Sequence, residues 1–258
     1  MAVEIGQSID CVDVWGVPFA RITRPQAVDA VMALVDAGRP SFFITANVHY
    51  VMLSDQSEAL REVNQRAAFL IADGAPIVWA SRRGPRPLPE RVAGSDLIYD
   101  LCQRAARNGR RVFLLGGPPG VAEAAEARLT TLYPGLQIVG TACPPHRELT
   151  PEEHDTLIGQ IVVARPDILF VAYGQPKGEF WIDRNLERLG VPVCVQVGAS
   201  LDFVAGRVRR APRWVQKLGM EWAYRISTDP RRLAPRYAQN LAFLSRKIYT
   251  GLVRDQNA

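Results

Sequence analysis

Apolar runs and helical-period runs alternate along most of this chain, and each change of period marks an element. Residues 11–20, CVDVWGVPFA, alternate around Gly16 and predict a short strand or hairpin. Thr23 before Arg24-Pro25 starts a helix whose stripe is Val28, Val31, Met32 and Val35, and Gly38 stops it. SFFITA (41–46) is too apolar for a half-exposed strand, so it belongs in a sheet interior. The same alternation predicts a helix over 57–66, strands over 67–72 and 111–115, and helices over 77–83 and 121–132. Ser95 or Asp96 is the expected N-cap of a helix between them. Further on come a strand at 136–140, a helix from the capping-box pattern Thr150–Glu153 to Ala164, a strand at 167–172, a helix at 178–189 and a strand at 191–197. Apolar strands joined to helices by short connections imply an α/β fold, a Rossmann-like mainly parallel sheet with helices on both faces.

In such a sheet the ligand crevice lies beyond the C-terminal ends of the strands. Those ends carry Thr45 and Asn47, Asp73-Gly74, Gly116 to Gly120, Gly174 to Lys177, and Gln196 to Asp202. Gly116-Gly117-Pro-Pro-Gly120 between a strand and a helix is either a diphosphate cradle of backbone N–H groups or a plain tight turn. Asp73 before Gly74 is either turn chemistry or, at the end of a buried strand, a general base. His49 stands near the crevice, with a structural role favoured over proton transfer. No D-x-D pair and no metal-ligand spacing appears, so phosphate charge would be met by Arg, Lys and backbone amides.

Charge changes the picture at the end of the chain. From Arg207 onward there are twelve Lys/Arg against three Asp/Glu, whereas the preceding residues hold nineteen against twenty-three. Trp214, Trp222 and Tyr224 are interleaved with these arginines. This divides the chain into an expected α/β domain, residues 1–206, and an arginine-rich helical C-terminal appendage, residues 207–258, that seeks an anion. Tyr237, Leu241, Leu244, Ile248 and Leu252 recur at helical spacing, which suits either a helix on anionic lipid or one packed on protein. Cys11, Cys102, Cys143 and Cys194 are scattered, as reduced core-filling thiols of a cytosolic protein would be. The N-terminus lacks a signal-peptide pattern and no run is apolar enough to span a bilayer, which predicts a soluble or peripheral protein.

TANVHY (45–50), ADGAPIVWASR (72–82), LPERVAGSDL (88–97), LLGGPPG (114–120) and the stretch from Val197 to Arg232 resemble the WecG/TagA/CpsF family of bacterial glycosyltransferases, glycosyltransferase family 26. The resemblance implies an inverting, metal-independent enzyme without a cofactor. Such an enzyme moves a sugar from a UDP-sugar to a polyprenyl-diphosphate-linked saccharide at the cytoplasmic face of the inner membrane. It casts Asp73 as base beside Thr45 and Asn47, and gives the appendage a role in closing the site and docking on an anionic membrane surface. The expected substrate-binding set is Arg91, Gly94, Asp96, Gly116, Gly117, Gly120, Gly174, Gln175, Gly198 and Asp202, with Arg210, Arg225 and Arg232 facing the leaving diphosphate. One departure stands out: the family pattern G-x-P-x-Q-E reads GQPKGE here, with glycine at 178 where glutamine is expected and Gln175 at the variable position. Two other readings compete. A dinucleotide-dependent oxidoreductase lacks its G-x-G-x-x-G, and a nucleic-acid-binding module leaves Asp73 unexplained, so no nucleic-acid partner is expected. Homo-oligomer formation is left open.

Overall fold

The computed structural model describes residues 9–255 except 146, 209, 213, 214 and 216–219; the side chains of residues 232 and 251–255 also lie outside the description. One eight-stranded sheet runs in the order β1-β2-β4-β3-β8-β7-β5-β6. The strands are β1 (Cys11–Val14), β2 (Val17–Ala20), β3 (Phe42–Ala46), β4 (Leu70–Ala72), β5 (Arg111–Gly116), β6 (Gln137–Ala142), β7 (Ile168–Ala172) and β8 (Val193–Gln196). Every pairing is parallel except the β1–β2 hairpin, which turns through Trp15 and Gly16, both at positive φ.

Each inner strand is buried on both faces, so successive side chains feed two cores. Phe43, Ile71, Leu114, Phe170 and Val195 point into one, under α1 (Arg24–Ala37), α5 (Gly94–Asn108), α6 (Val121–Leu132) and α9 (Ser200–Val204). Phe42, Ile44, Leu70, Phe113, Leu169 and Cys194 point into the other. That second core lies under α2 (Val48–Gln56), α3 (Glu58–Arg66), α4 (Ala75–Ser81), α7 (Pro151–Ala164) and α8 (Lys177–Leu189). The caps behave as their chemistry requires: Thr150 and Glu153 close a reciprocal capping box, and glycines in the left-handed region end α1, α5 and α8.

Three expectations need correction. Residues 48–56, given no element by the sequence pattern, form α2, whose N-cap Asn47 accepts from Tyr50 N at 3.1 Å. Neither Ser95 nor Asp96 caps α5; the cap is Ala93, without a side-chain bond, and both residues stand in the first turn. Cys102 and Cys194 are buried as expected, but Cys11 is exposed.

After α9 the chain leaves the sheet and resumes in α10 (Glu221–Thr228) and α11 (Pro230–Asp255). α11 packs along α2: Phe243 is buried and meets the Trp15 ring edge-on at 5.9 Å. His49 Nδ1 lies 3.3 Å from Asn240 Oδ1, and Asp55 pairs with Lys247 at 2.7 Å and with Arg246 at 3.0 Å. The opposite face leaves Leu241, Ile248 and Tyr249 exposed. No described helix is long and apolar enough to cross a membrane.

Candidate functional site

β3, β8 and β7 are adjacent in the sheet, and their C-terminal ends converge on one buried polar cluster. Thr45, the penultimate residue of β3, donates from Oγ1 to the backbone carbonyl of Gln196 at 3.3 Å. Gln175, in the turn after β7, reaches across the end of β8. Its Nε2 donates to Thr45 O at 2.9 Å, and its Oε1 accepts from Asn47 Nδ2 at 2.8 Å. Both ends of the Gln175 carboxamide therefore hold the very residues the sequence singled out. Gln175 precedes Pro176 across a cis peptide bond.

Asp73 sits one residue past β4, and its backbone N–H donates to Ala46 O. Its Oδ2 accepts from Gly94 N at 3.2 Å, so Asp73 supplies from a distance the cap that α5 lacks locally. Glycine suits position 94 because α5 starts against Thr45: a Cβ there would stand 3.2 Å from Thr45 Oγ1 and Cγ2. Three separate motifs thus meet at the Thr45–Gly94–Asp73 contact. Burial pushes the Asp73 carboxyl above its ordinary value, Arg91 and the Gly94 amide pull it down, and the Glu221 and Asp96 carboxylates push it up again.

That electrostatic neighbourhood joins the strand ends to the C-terminal segment. Arg210 Nη1 donates to Asp96 Oδ1, and its Nε lies 3.6 Å from Glu221 Oε1. Arg91 Nη1 donates to Glu221 Oε2 at 3.4 Å, and Arg24 lies 3.9 Å from Asp96. Burial alone would raise Asp96; the bond and charge of Arg210, with Arg24 and Arg91 behind, hold it below its ordinary value. Arg210 Nε and Nη2 are nevertheless buried without a hydrogen-bond acceptor. A cavity of about 600 Å³ opens beside Arg210, with Arg128 on its wall and Tyr99, Phe203 and Tyr224 around it. Arg225 lies over the Phe203 ring at 5.5 Å. The Arg232 side chain falls outside the described residues, as do Arg209 and Trp214.

The glycines of the β5–α6 turn have packing reasons of their own. Gly116, Gly117 and Gly120 all have positive φ, and a Cβ on Gly116 would stand 3.0 Å from Ala172 O. Gly117 N already donates to Ala172 O at the end of β7 and Val121 N to Pro118 O in the turn, so these two amides are engaged. Gly174 and Gly198 also take positive φ, and the Asp202 carbonyl accepts from Arg207 N and Val208 N as the chain leaves α9. Among the described residues no three His, Cys, Asp or Glu side chains are grouped to hold a metal ion.

Three residues of this cluster were given no role by sequence reasoning: Gln196, placed only as a strand end, Glu179 and Glu221. Glu179 is buried in α8 and neither carboxyl oxygen has a partner in hydrogen-bond geometry. Burial pushes its pKa up to about 7, only partly offset by its own amide and by the nearby Gln175 and Gln196 carboxamides. The available signals were the GQPKGE segment for Glu179, the end of a strand for Gln196 and the arginine-rich stretch for Glu221.

The model of the Glycosyl transferase WecG/TagA/CpsF family matches residues 12–257. The chain is 32% identical over 255 residues to an N-acetylglucosaminyldiphosphoundecaprenol N-acetyl-beta-D-mannosaminyltransferase of Staphylococcus aureus strain NCTC 8325 / PS 47, covering 96% of this chain and 98% of that protein. The proteins of the same name from strains COL and MSSA476 match to the same extent. The match spans the strand ends, the Asp73 neighbourhood and the C-terminal helices alike, and on it the chain belongs to the WecG/TagA/CpsF family of glycosyltransferases.

Proposed function

We propose that this enzyme transfers an N-acetylmannosamine-type sugar from its UDP donor to an N-acetylglucosaminyl-diphosphate-polyprenol, with inversion and without a metal. The relatives' names support the acceptor and the sugar. The observation that carries the mechanism is Asp73: a carboxylate at a strand end, raised in pKa and ringed by Arg91, Asp96, Arg210 and Glu221. Asp73 takes the proton of the acceptor hydroxyl as that oxygen bonds to the anomeric carbon. The bond from that carbon to the β-phosphate oxygen breaks, UDP leaves with the electron pair, and the configuration inverts. A positioned base of this kind contributes ~10²–10⁴-fold. Arg210, with two buried donors lacking acceptors, Arg128 on the wall of the same cavity and Arg225 over the Phe203 ring that lines it are the cations that would meet the diphosphate. Thr45 and Asn47 orient the reacting sugars from the floor of the crevice.

In this reading residues 1–206 form the catalytic domain, and residues 207–258 close over it and dock at the cytoplasmic membrane face. The exposed Trp222, Leu241, Ile248 and Tyr249, set among basic residues, support docking on anionic lipid. Membership of a glycosyltransferase family displaces both competing readings, the dinucleotide oxidoreductase and the nucleic-acid module.

UDP release measured over a panel of UDP-sugars, with a short-chain lipid-diphosphate N-acetylglucosamine acceptor, tests the proposal. Acceptor-dependent release from UDP-N-acetylmannosamine is expected. Turnover with another donor alone, or with no need for the acceptor, would overturn the assignment.

A further inference from the structure

Gln196 ends β8, is buried, and is used twice. Its backbone carbonyl accepts from Thr45 Oγ1, and its side-chain Oε1 accepts from Gly198 N, holding the turn into α9. The same side chain lies over the second residue of α8. A Cβ built on Gly178 would stand 2.2 Å from Gln196 Cγ, an impossible approach, and tightly at 3.2 Å from Cδ and 3.3 Å from Cβ. Gly178 is not at positive φ, so glycine is needed here for space and not for backbone conformation. On the far side, the Gln196 carboxamide approaches the buried Glu179, which Gln175 also approaches from the Thr45–Asn47 side.

We propose that Gln196 is a positioning residue for the transfer reaction: its buried carboxamide fixes the β8–α9 turn against α8 and so sets the carbonyl on which Thr45 rests, an arrangement that requires glycine at 178. The glycine in GQPKGE is then the steric complement of a carboxamide delivered from β8. The inference rests on the reading that Thr45 and Asn47 line the transfer site. Gln196 touches no substrate in it and acts through Thr45.

The test uses the full chain and two readouts. Gln196→Met keeps most of the volume and removes the amide. Its kcat should fall about 10- to 100-fold, the size of effect a small misplacement of reacting groups produces, while the donor KM changes less than about 3-fold. A variant that stays folded with unchanged kcat would overturn the proposal, as would one whose loss is all in KM. The second readout needs no activity. Helix propensity alone makes Gly178→Ala stabilising, because glycine loses more backbone freedom than alanine on entering a helix. Here Gly178→Ala should instead lower Tm, and should stop doing so once Gln196→Ala has vacated the space. A rise in Tm from Gly178→Ala in the Gln196 background would refute the interlock. If the wild-type chain transfers no sugar, the proposed reaction fails while the Tm cycle still decides the packing claim.

Discussion

The contact that fastens α11 to α2 has a predictable strength. Phe243 is 4% exposed, meets Trp15 edge-on, and carries the heads of Lys247 and Arg246 above its ring at 5.4 and 5.8 Å. Phe→Ala in a core costs about 3–5 kcal/mol. The low end applies here, because charged side chains cover one side of the ring. What remains in Phe243→Ala includes Leu244 packed against the same core, the His49–Asn240 contact and two ion pairs to Asp55. Arg246 is more than half exposed, and exposed ion pairs contribute about 0.2–1 kcal/mol each. A loss of about 3 kcal/mol on the undocking equilibrium is about a hundredfold rise in the undocked population. Limited proteolysis with trypsin reads that population directly, since basic residues crowd this segment. Cleavage within 230–255 should accelerate about a hundredfold, while the Tm of the sheet moves by only a few degrees. Unchanged cleavage would refute the reasoning, and so would cleavage that rises only in step with global unfolding, for then the helix and the sheet would be one cooperative unit.

Asp73→Asn should lower kcat by ~10²–10⁴-fold with UDP binding retained; near-normal turnover removes it as base. Because the folded Asp73 pKa is raised, its stabilising contribution is present below the unfolded value and lost as pH rises through the folded one, so Asp73→Asn should not lower Tm at neutral pH. Glu221→Gln withdraws a carboxylate that raises Asp73, so the acidic limb of the kcat/KM profile should shift to lower pH; a shift upward would contradict the electrostatic account. Glu179, raised to about 7, should cost stability as pH rises from the ordinary carboxylate range through neutrality. Glu179→Gln should therefore stabilise the protein at pH 8 by on the order of 2–3 kcal/mol and have little effect at pH 4, as denaturant unfolding at the two pH values would reveal. Turnover should persist in excess chelator, and strict dependence on Mn²⁺ or Mg²⁺ would contradict charge neutralisation by arginine.

The sheet was legible because its strands are buried on both faces and its helices carry one-sided stripes. SFFITA and DILFVA leave few other assignments for a chain of this composition. The strand ends follow from that topology, which is why Thr45, Asn47, Asp73 and Gln175 could be named in advance. Residues 48–56 were illegible as a helix because VHYVMLSDQ is apolar on several sides, being covered by both the sheet and α11. The α5 cap misled for a related reason: local capping rules look within a few residues, and the group that bonds Gly94 N is Asp73, twenty-one positions earlier. Gln196 and Gly178 escaped because their coupling is steric and spans two strand–helix units. A glycine without positive φ gives no sign in sequence of what fills its space.

The charges around Asp73 bear on why its partners come from opposite ends of the chain. Asp96 and the Gly94 amide belong to α5 and Arg91 to the connection before it; Glu221 and Arg210 come from beyond α9. Within this set, Glu221 pushes the Asp73 carboxyl up, while its own charge is held by Arg91 and Arg210. A base that must gain a proton is more effective the closer its pKa approaches the working pH. In the proposed closure, the C-terminal segment contributes a carboxylate that raises Asp73, the proposed base, together with an arginine with two buried donors lacking hydrogen-bond acceptors. Undocking would withdraw both. In that proposed closure, charge at the base and charge available to the leaving diphosphate are both set by the contact between the Asp73 neighbourhood and the C-terminal segment, with Glu221 raising Asp73 and Arg210 opposing it.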